Sequence, residues 1–73
     1  MEHLPVESSS LASVGYEDEV LEVRFRNGGV YRYFGVPDWL HRMLLKTESK
    51  GRFFNLAIRD RYRAEKLAPA GRG

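Results

Sequence analysis

The sequence predicts a small α+β domain, a three-stranded antiparallel β-meander packed against one or two short helices. Three observations predict it. Leu21, Val23 and Phe25 alternate with Glu22, Arg24 and Arg26, the period-two pattern of a half-buried strand. Asn27-Gly28-Gly29 follows at once, and these residue types accept the positive φ angles that tight hairpin turns require. Beyond the return strand the apolar residues switch to helical spacing. A chain of 73 residues with 42% apolar and 12% aromatic content makes one small globular domain.

The elements follow in order. Residues 1–7 read as a flexible acidic arm, since Pro5 is disfavoured in a central strand. Leu11–Tyr16 reads as a short strand behind Ser8-Ser9-Ser10, and Glu17-Asp18-Glu19 as a turn. Val30–Phe34 is the return strand, rich in aromatic residues. Two hairpin registers fit. A two-residue turn at Asn27-Gly28 places Arg24 and Arg26 on one face with Tyr31 and Tyr33. A three-residue loop places the tyrosines with Val23 and Phe25, and the arginines with Arg32 and Phe34.

Pro37 disfavours helix at Val36 and suits a first helical turn. Trp39, Leu40, Met43 and Leu44 then share one helical face, while His41, Arg42 and Lys46 point elsewhere. Ser49 can cap a second helix, although Gly51 weakens its first turn. Phe54, Ala57, Ile58 and Tyr62 keep helical spacing there, which makes Arg59 and Arg63 neighbours on its surface. Trp39, Met43, Leu44 and Phe54 are the expected cover over the sheet. Residues 67–73 read as a flexible tail, leaving 8–66 as the domain proper.

Several function classes drop out. Without cysteine there is no disulfide framework, no thiolate zinc site and no cysteine nucleophile, and a reducing cytoplasm fits. His3 and His41 alone make no metal site, and neither has a partnered nucleophile in the sequence. Ser8, Ser9 and Ser10 lack nucleophile-elbow spacing, and Gly28-Gly29 belongs to no phosphate-loop pattern. No apolar run approaches the ~18 residues of a membrane span. The first residues lack the basic and apolar segments of a signal peptide. The expectation is a binding module, monomeric when free, with no catalytic residue, cofactor or metal.

Charge sharpens that expectation. Residues 1–22 hold six carboxylates and no Lys or Arg, whereas residues 23–73 hold all twelve bases and four acids. A bipolar molecule can address opposite potentials on one partner. Arg24, Arg26 and Arg32, with nearby rings, suit a single-stranded nucleic-acid platform. Lys50, Arg52, Arg59 and Arg61 form a denser basic cluster for an anionic partner. Glu2, Leu4, Val6 and Glu7 make the arm acidic and apolar-dotted, fit to dock on a basic protein surface.

Six blocks occur in order: Ser8–Leu11, Val14–Tyr16, Leu21–Gly28, Tyr31–Pro37, Ser49–Asn55 and Ile58–Tyr62. This series resembles the KTSC domain family, found at the C-terminus of some lysyl-tRNA synthetases and as small stand-alone proteins. The resemblance implies an RNA-binding module as one reading. The whole chain also resembles a phage-borne transcription regulator built on this domain. That likeness implies binding to bacterial RNA polymerase at the β′ N-terminal region and the β flap, near the nascent RNA. It further implies inhibited initiation through weakened sigma-factor engagement, and suppressed intrinsic termination.

Overall fold

In the computed structural model, which describes residues 1–69, five strands follow one another in a meander. They are β1 (His3–Pro5), β2 (Leu11–Glu17), β3 (Val20–Phe25), β4 (Val30–Phe34) and β5 (Arg63–Ala68). Helices α1 (Asp38–Lys46) and α2 (Lys50–Ala57) lie between β4 and β5 in the chain. Each strand pairs antiparallel with its neighbours. The α+β class stands, with five strands in place of three. The two added strands come from the segments read as arm and tail. β1 has only three residues, too few to show a period, and its Pro5 is tolerated because the strand is an edge. β5 carries no buried residue, so no apolar alternation marks it. Residues 70–73 of the expected tail lie outside the described residues.

Turn chemistry sets the register. Asp18 and Glu19 join β2 to β3 with φ of 52° and 63°, the doubly positive pattern of a type I′ turn. At the next hairpin the Phe25 N–H donates to the Gly29 carbonyl and the Gly29 N–H to Asn27 Oδ1. Arg24 pairs with Val30, Val23 with Tyr31 and Leu21 with Tyr33. Five residues thus separate the first paired positions, and neither the two-residue turn nor the three-residue loop forms; the longer loop keeps the odd count, and so the faces, of the three-residue reading. The tyrosines therefore share the inner face with Val23 and Phe25, and Arg24 shares the outer face with Arg32.

The inner face is sealed by the helices. Leu11, Val14, Leu21, Val23 and Tyr33 meet Val36, Leu40, Leu44, Phe54 and Ile58 in one cluster. Phe54 sits edge-on to both Phe25 and Tyr33, with ring centroids 5.4 and 5.2 Å apart. Of the expected cover, Leu44 and Phe54 are buried, but Trp39 is 58% and Met43 48% exposed. The cause is the roll of α1 toward β2. His41 stacks on Tyr16 at 4.3 Å, and the Tyr16 hydroxyl donates to the Val36 carbonyl at 2.6 Å. That docking turns Leu40 and Leu44 inward and Trp39 and Met43 outward.

α2 ends a turn earlier than the apolar stripe suggests. The N–H groups of Ile58 and Arg59 both donate to the Phe54 carbonyl, and Asp60 takes φ of 65°. The chain then reverses into β5, so Arg63 is a strand residue and not a helical neighbour of Arg59. Ser49 occupies the N-cap position without a side-chain capping bond. Gly51 has a packing role: a Cβ there would stand 2.9 Å from Ser10 Oγ.

A polar chain on the outer face pins β1. His3 Nδ1 meets Ser13 Oγ at 2.7 Å, and His3 Nε2 meets Glu22 Oε2 at 2.6 Å. Arg32 Nε donates to Glu22 Oε1 at 2.7 Å. The imidazole reaches Glu22 by crossing over β2 at Gly15, where a Cβ would lie 2.8 Å from His3 Cδ2. Partial burial pushes the Glu22 carboxyl up. Hydrogen bonds from Arg32 and His3, with their charges, outweigh that and hold it below the usual carboxylate range. The His41 imidazole is also held below its ordinary value: burial lowers its affinity for a proton, opposed by Asp38 and aided by Arg42. Its Nδ1 is buried without a partner.

Two predictions follow from these contacts. Replacing Asp18-Glu19 by Asn-Gly removes side chains from left-handed backbone. It should stabilise the domain by about 1 kcal/mol, raising Tm by about 4–8 °C in thermal unfolding; an unchanged or lower Tm contradicts the turn assignment. Stability against denaturant should also fall with acid in two steps. Because His41 is lowered in the folded state, its contribution is complete above its unfolded pKa of about 6.5 and is lost below it. The Glu22 contribution is complete above the ordinary carboxylate range and is lost as pH falls through its depressed folded value. His41→Phe should abolish the first step and Glu22→Gln the second. A variant that keeps its step refutes the corresponding contact.

Candidate functional site

The basic residues singled out in the sequence do not converge on one surface. Arg24 is exposed on the outer face of the sheet, but Arg32 beside it is tied to Glu22. Arg26 sits in the hairpin and its Nε donates to the Ser8 carbonyl. On the same outer face Arg63 lies over the Phe34 ring, 5.0 Å from its centroid. The expected basic and aromatic platform is therefore partly neutralised, and Tyr31 and Tyr33 have gone to the opposite face. Glu2 and Glu7 are exposed. Leu4 is 57% exposed, while Val6 packs against the core and its N–H donates to the Ala12 carbonyl.

The second basic cluster divides at α2. Lys50 Nζ donates to the Thr47 carbonyl at 2.7 Å, closing the link between the helices, and Arg52 is exposed on α2. Arg59 and Arg61 face two different hollows. Arg59 enters a hollow of about 270 Å³ between the β3–β4 hairpin, β4 and α2, floored by Phe25, Tyr31, Tyr33 and Phe54. Asn27 and Asn55 complete its polar wall. Arg61 flanks a groove of about 410 Å³ between the helices, lined by Trp39, Met43, Phe53 and Leu56. Its Nε donates to the Leu56 carbonyl at 2.9 Å.

Sequence reasoning missed both linings for one reason: each is assembled across elements. The signals were present in part. Tyr31 and Tyr33 are two apart on a strand, so they share a face. Asn55 and Arg59 are four apart, and Arg59 Nη1 reaches Asn55 Oδ1 at 3.5 Å. Trp39 and Met43 had been assigned to the core.

Ser13, His3 and Glu22 form a hydrogen-bonded series that looks like a nucleophile, base and orienting carboxylate. Its setting argues for a staple. Ser13 lies within the β1–β2–β3 ladder, the second Glu22 oxygen is taken by Arg32, and neither hollow described above touches the series. Among the described residues no cluster of three His, Cys, Asp or Glu side chains could hold a metal ion, and no helix is long and apolar enough to cross a membrane. What the arrangement offers is two binding surfaces, one aromatic and donor-rich, the other apolar with a basic rim.

The comparisons with known proteins agree with this frame. A family profile described as the KTSC domain matches residues 7–62. The crystal structure of a KTSC domain protein from Yersinia pestis superposes with a TM-score of 0.87 at 39% identity, covering 92% of this chain and 97% of that one. A protein from Tsukamurella paurometabola is 42% identical over 65 residues, 86% of this chain and 97% of that protein. A segment of a lysine–tRNA ligase from Nostoc punctiforme is 34% identical over 67 residues, 89% of this chain but only 12% of the ligase. The chain therefore belongs to the KTSC domain family.

Proposed function

We propose that this chain is a phage-type regulator that binds bacterial RNA polymerase and has no catalytic activity of its own. In this reading it contacts the β′ N-terminal region and the β flap, weakens sigma-factor engagement at initiation, and suppresses intrinsic termination near the RNA exit channel. The partner's identity rests on the likeness of the whole chain to a phage-borne regulator. One structural observation supports a protein partner: Trp39, Met43 and Leu56 stand 58%, 48% and 65% exposed around a single groove. Single exposed apolar residues are ordinary, but several gathered around one groove with a polar rim mark an interaction surface. Trp, Met and Arg are also the residue types enriched at protein interfaces.

A small rigid body needs no chemistry to regulate a larger machine. It shifts the machine's equilibrium by binding one conformation more tightly than another. The acidic N-terminal third and the basic remainder would orient the encounter and speed it. A second reading, direct RNA binding, has the lysine–tRNA ligase match behind it.

The test is retention of purified polymerase by the tagged chain at moderate salt. The proposal expects a stoichiometric complex. Trp39→Ala with Leu56→Ala should weaken it by about thirtyfold or more, the loss expected of an interface hot spot, with an unchanged circular dichroism spectrum. No retention of polymerase overturns the proposal. Tight binding to naked RNA without polymerase favours the second reading; six phosphate contacts would give a log–log salt slope of about −4.

A further inference from the structure

The aromatic hollow has a chemistry that the polymerase reading does not use. Four rings line it, and Tyr31 and Tyr33 lie nearly parallel, with centroids 6.4 Å apart and planes inclined by 26°. Its polar groups are biased toward donation. Asn27 Oδ1 is occupied by the Gly29 N–H and Asn55 Oδ1 faces Arg59, so both side-chain amides keep their NH₂ groups free. Arg59 has no carboxylate partner among the described residues, and no acid lines the hollow. Lys66 is the cross-strand partner of Tyr31, so it rises from β5 on the same face of the sheet.

These features select among ligands. An aromatic cage without an acid, and with a guanidinium in its wall, repels an ammonium ligand. An aliphatic ligand would leave the amides and the guanidinium unpaired. A planar, acceptor-rich ring with an attached anion satisfies every group: the partly exposed Phe25 and Tyr31 rings contact its face, amide donors meet its edge, and Arg59 and Lys66 meet its charge. The volume of about 270 Å³ lies just under the roughly 300–1,000 Å³ of drug-sized pockets, which suits one such ring system.

We propose that the hollow formed by Phe25, Tyr31, Asn27, Asn55 and Arg59, over the buried rings of Tyr33 and Phe54, binds one nucleotide unit, with the base against the partly exposed Phe25 and Tyr31 rings and the phosphate at Arg59 and Lys66. The unit comes either as a free mononucleotide or as one residue of a single-stranded nucleic acid. The site depends on neither polymerase binding nor a long RNA footprint.

The experiment is a nuclear magnetic resonance titration of the full chain with guanosine monophosphate, uridine monophosphate and a single-stranded RNA tetranucleotide. The expected result is shifts centred on the Phe25 and Tyr31 rings and the Asn27 and Asn55 side-chain amides. Shifts with the mononucleotides identify a free nucleotide as sufficient; shifts with the tetranucleotide alone place the unit in a nucleic-acid strand. Both Arg59 and Asn55 are exposed, so Arg59→Ala and Asn55→Ala should fold normally. Arg59→Ala should weaken binding by about tenfold, the loss of one charge-assisted hydrogen bond. Lys46→Ala, on the exposed surface of α1, should change mononucleotide binding less than about twofold. No shifts at millimolar ligand, shifts confined to the Trp39–Met43–Leu56 groove, or equal losses in Arg59→Ala and Lys46→Ala each overturn the proposal.

Discussion

A helix of nine residues and one of eight must seal a sheet of five strands. At about 1.5 Å per residue each helix runs roughly 12–14 Å, whereas five strands about 4.8 Å apart span about 19 Å between the edge strands. The cover is too small for the sheet. It closes over β2, β3 and β4, which supply every buried strand residue, and leaves both edge strands uncovered. Phe54 is the contact on which this closure turns, since its ring meets β3 at Phe25 and β4 at Tyr33. The aromatic hollow opens between α2, the β3–β4 hairpin and β4, beside the Phe54 contact. The apolar groove opens where the rolled helix α1 leaves Trp39 and Met43 outside.

α2 is the wall between the two surfaces. Consecutive residues Asn55 and Leu56 line different hollows, as do Arg59 and Arg61 just beyond the helix. A basic run in sequence is thus not a basic patch in space. The outer face of the sheet makes the same point differently. There His3, Glu22 and Arg32 spend their charge and hydrogen bonds on one another, and the gain is an anchored β1.

The central hairpin was legible because its residues obey a local rule: period two, an Asn-Gly turn, then aromatic residues. The register was not legible: a two-residue turn and a three-residue loop both fit the sequence, and the structure leaves five residues between the paired Arg24 and Val30, keeping only the face assignment of the three-residue loop. Helix existence was legible too, but its roll was not. Trp39 and Met43 share a stripe with Leu40 and Leu44, and only the stacking of His41 on Tyr16, a contact between distant residues, decides which half of the stripe faces inward. β1 and β5 were missed because edge strands carry no buried alternation; their evidence is backbone pairing with β2 and β4. The family resemblance was carried by blocks spread over most of the chain, and the profile match to residues 7–62 bears it out.

Partial cover is the central claim, and native-state hydrogen exchange measures it strand by strand. The account predicts that amides paired between β2, β3 and β4 exchange only through global unfolding, while those of β1 and β5 exchange through smaller local openings. Protection in β5 equal to that in β3 would mean that the edge is covered in solution, and would contradict the account.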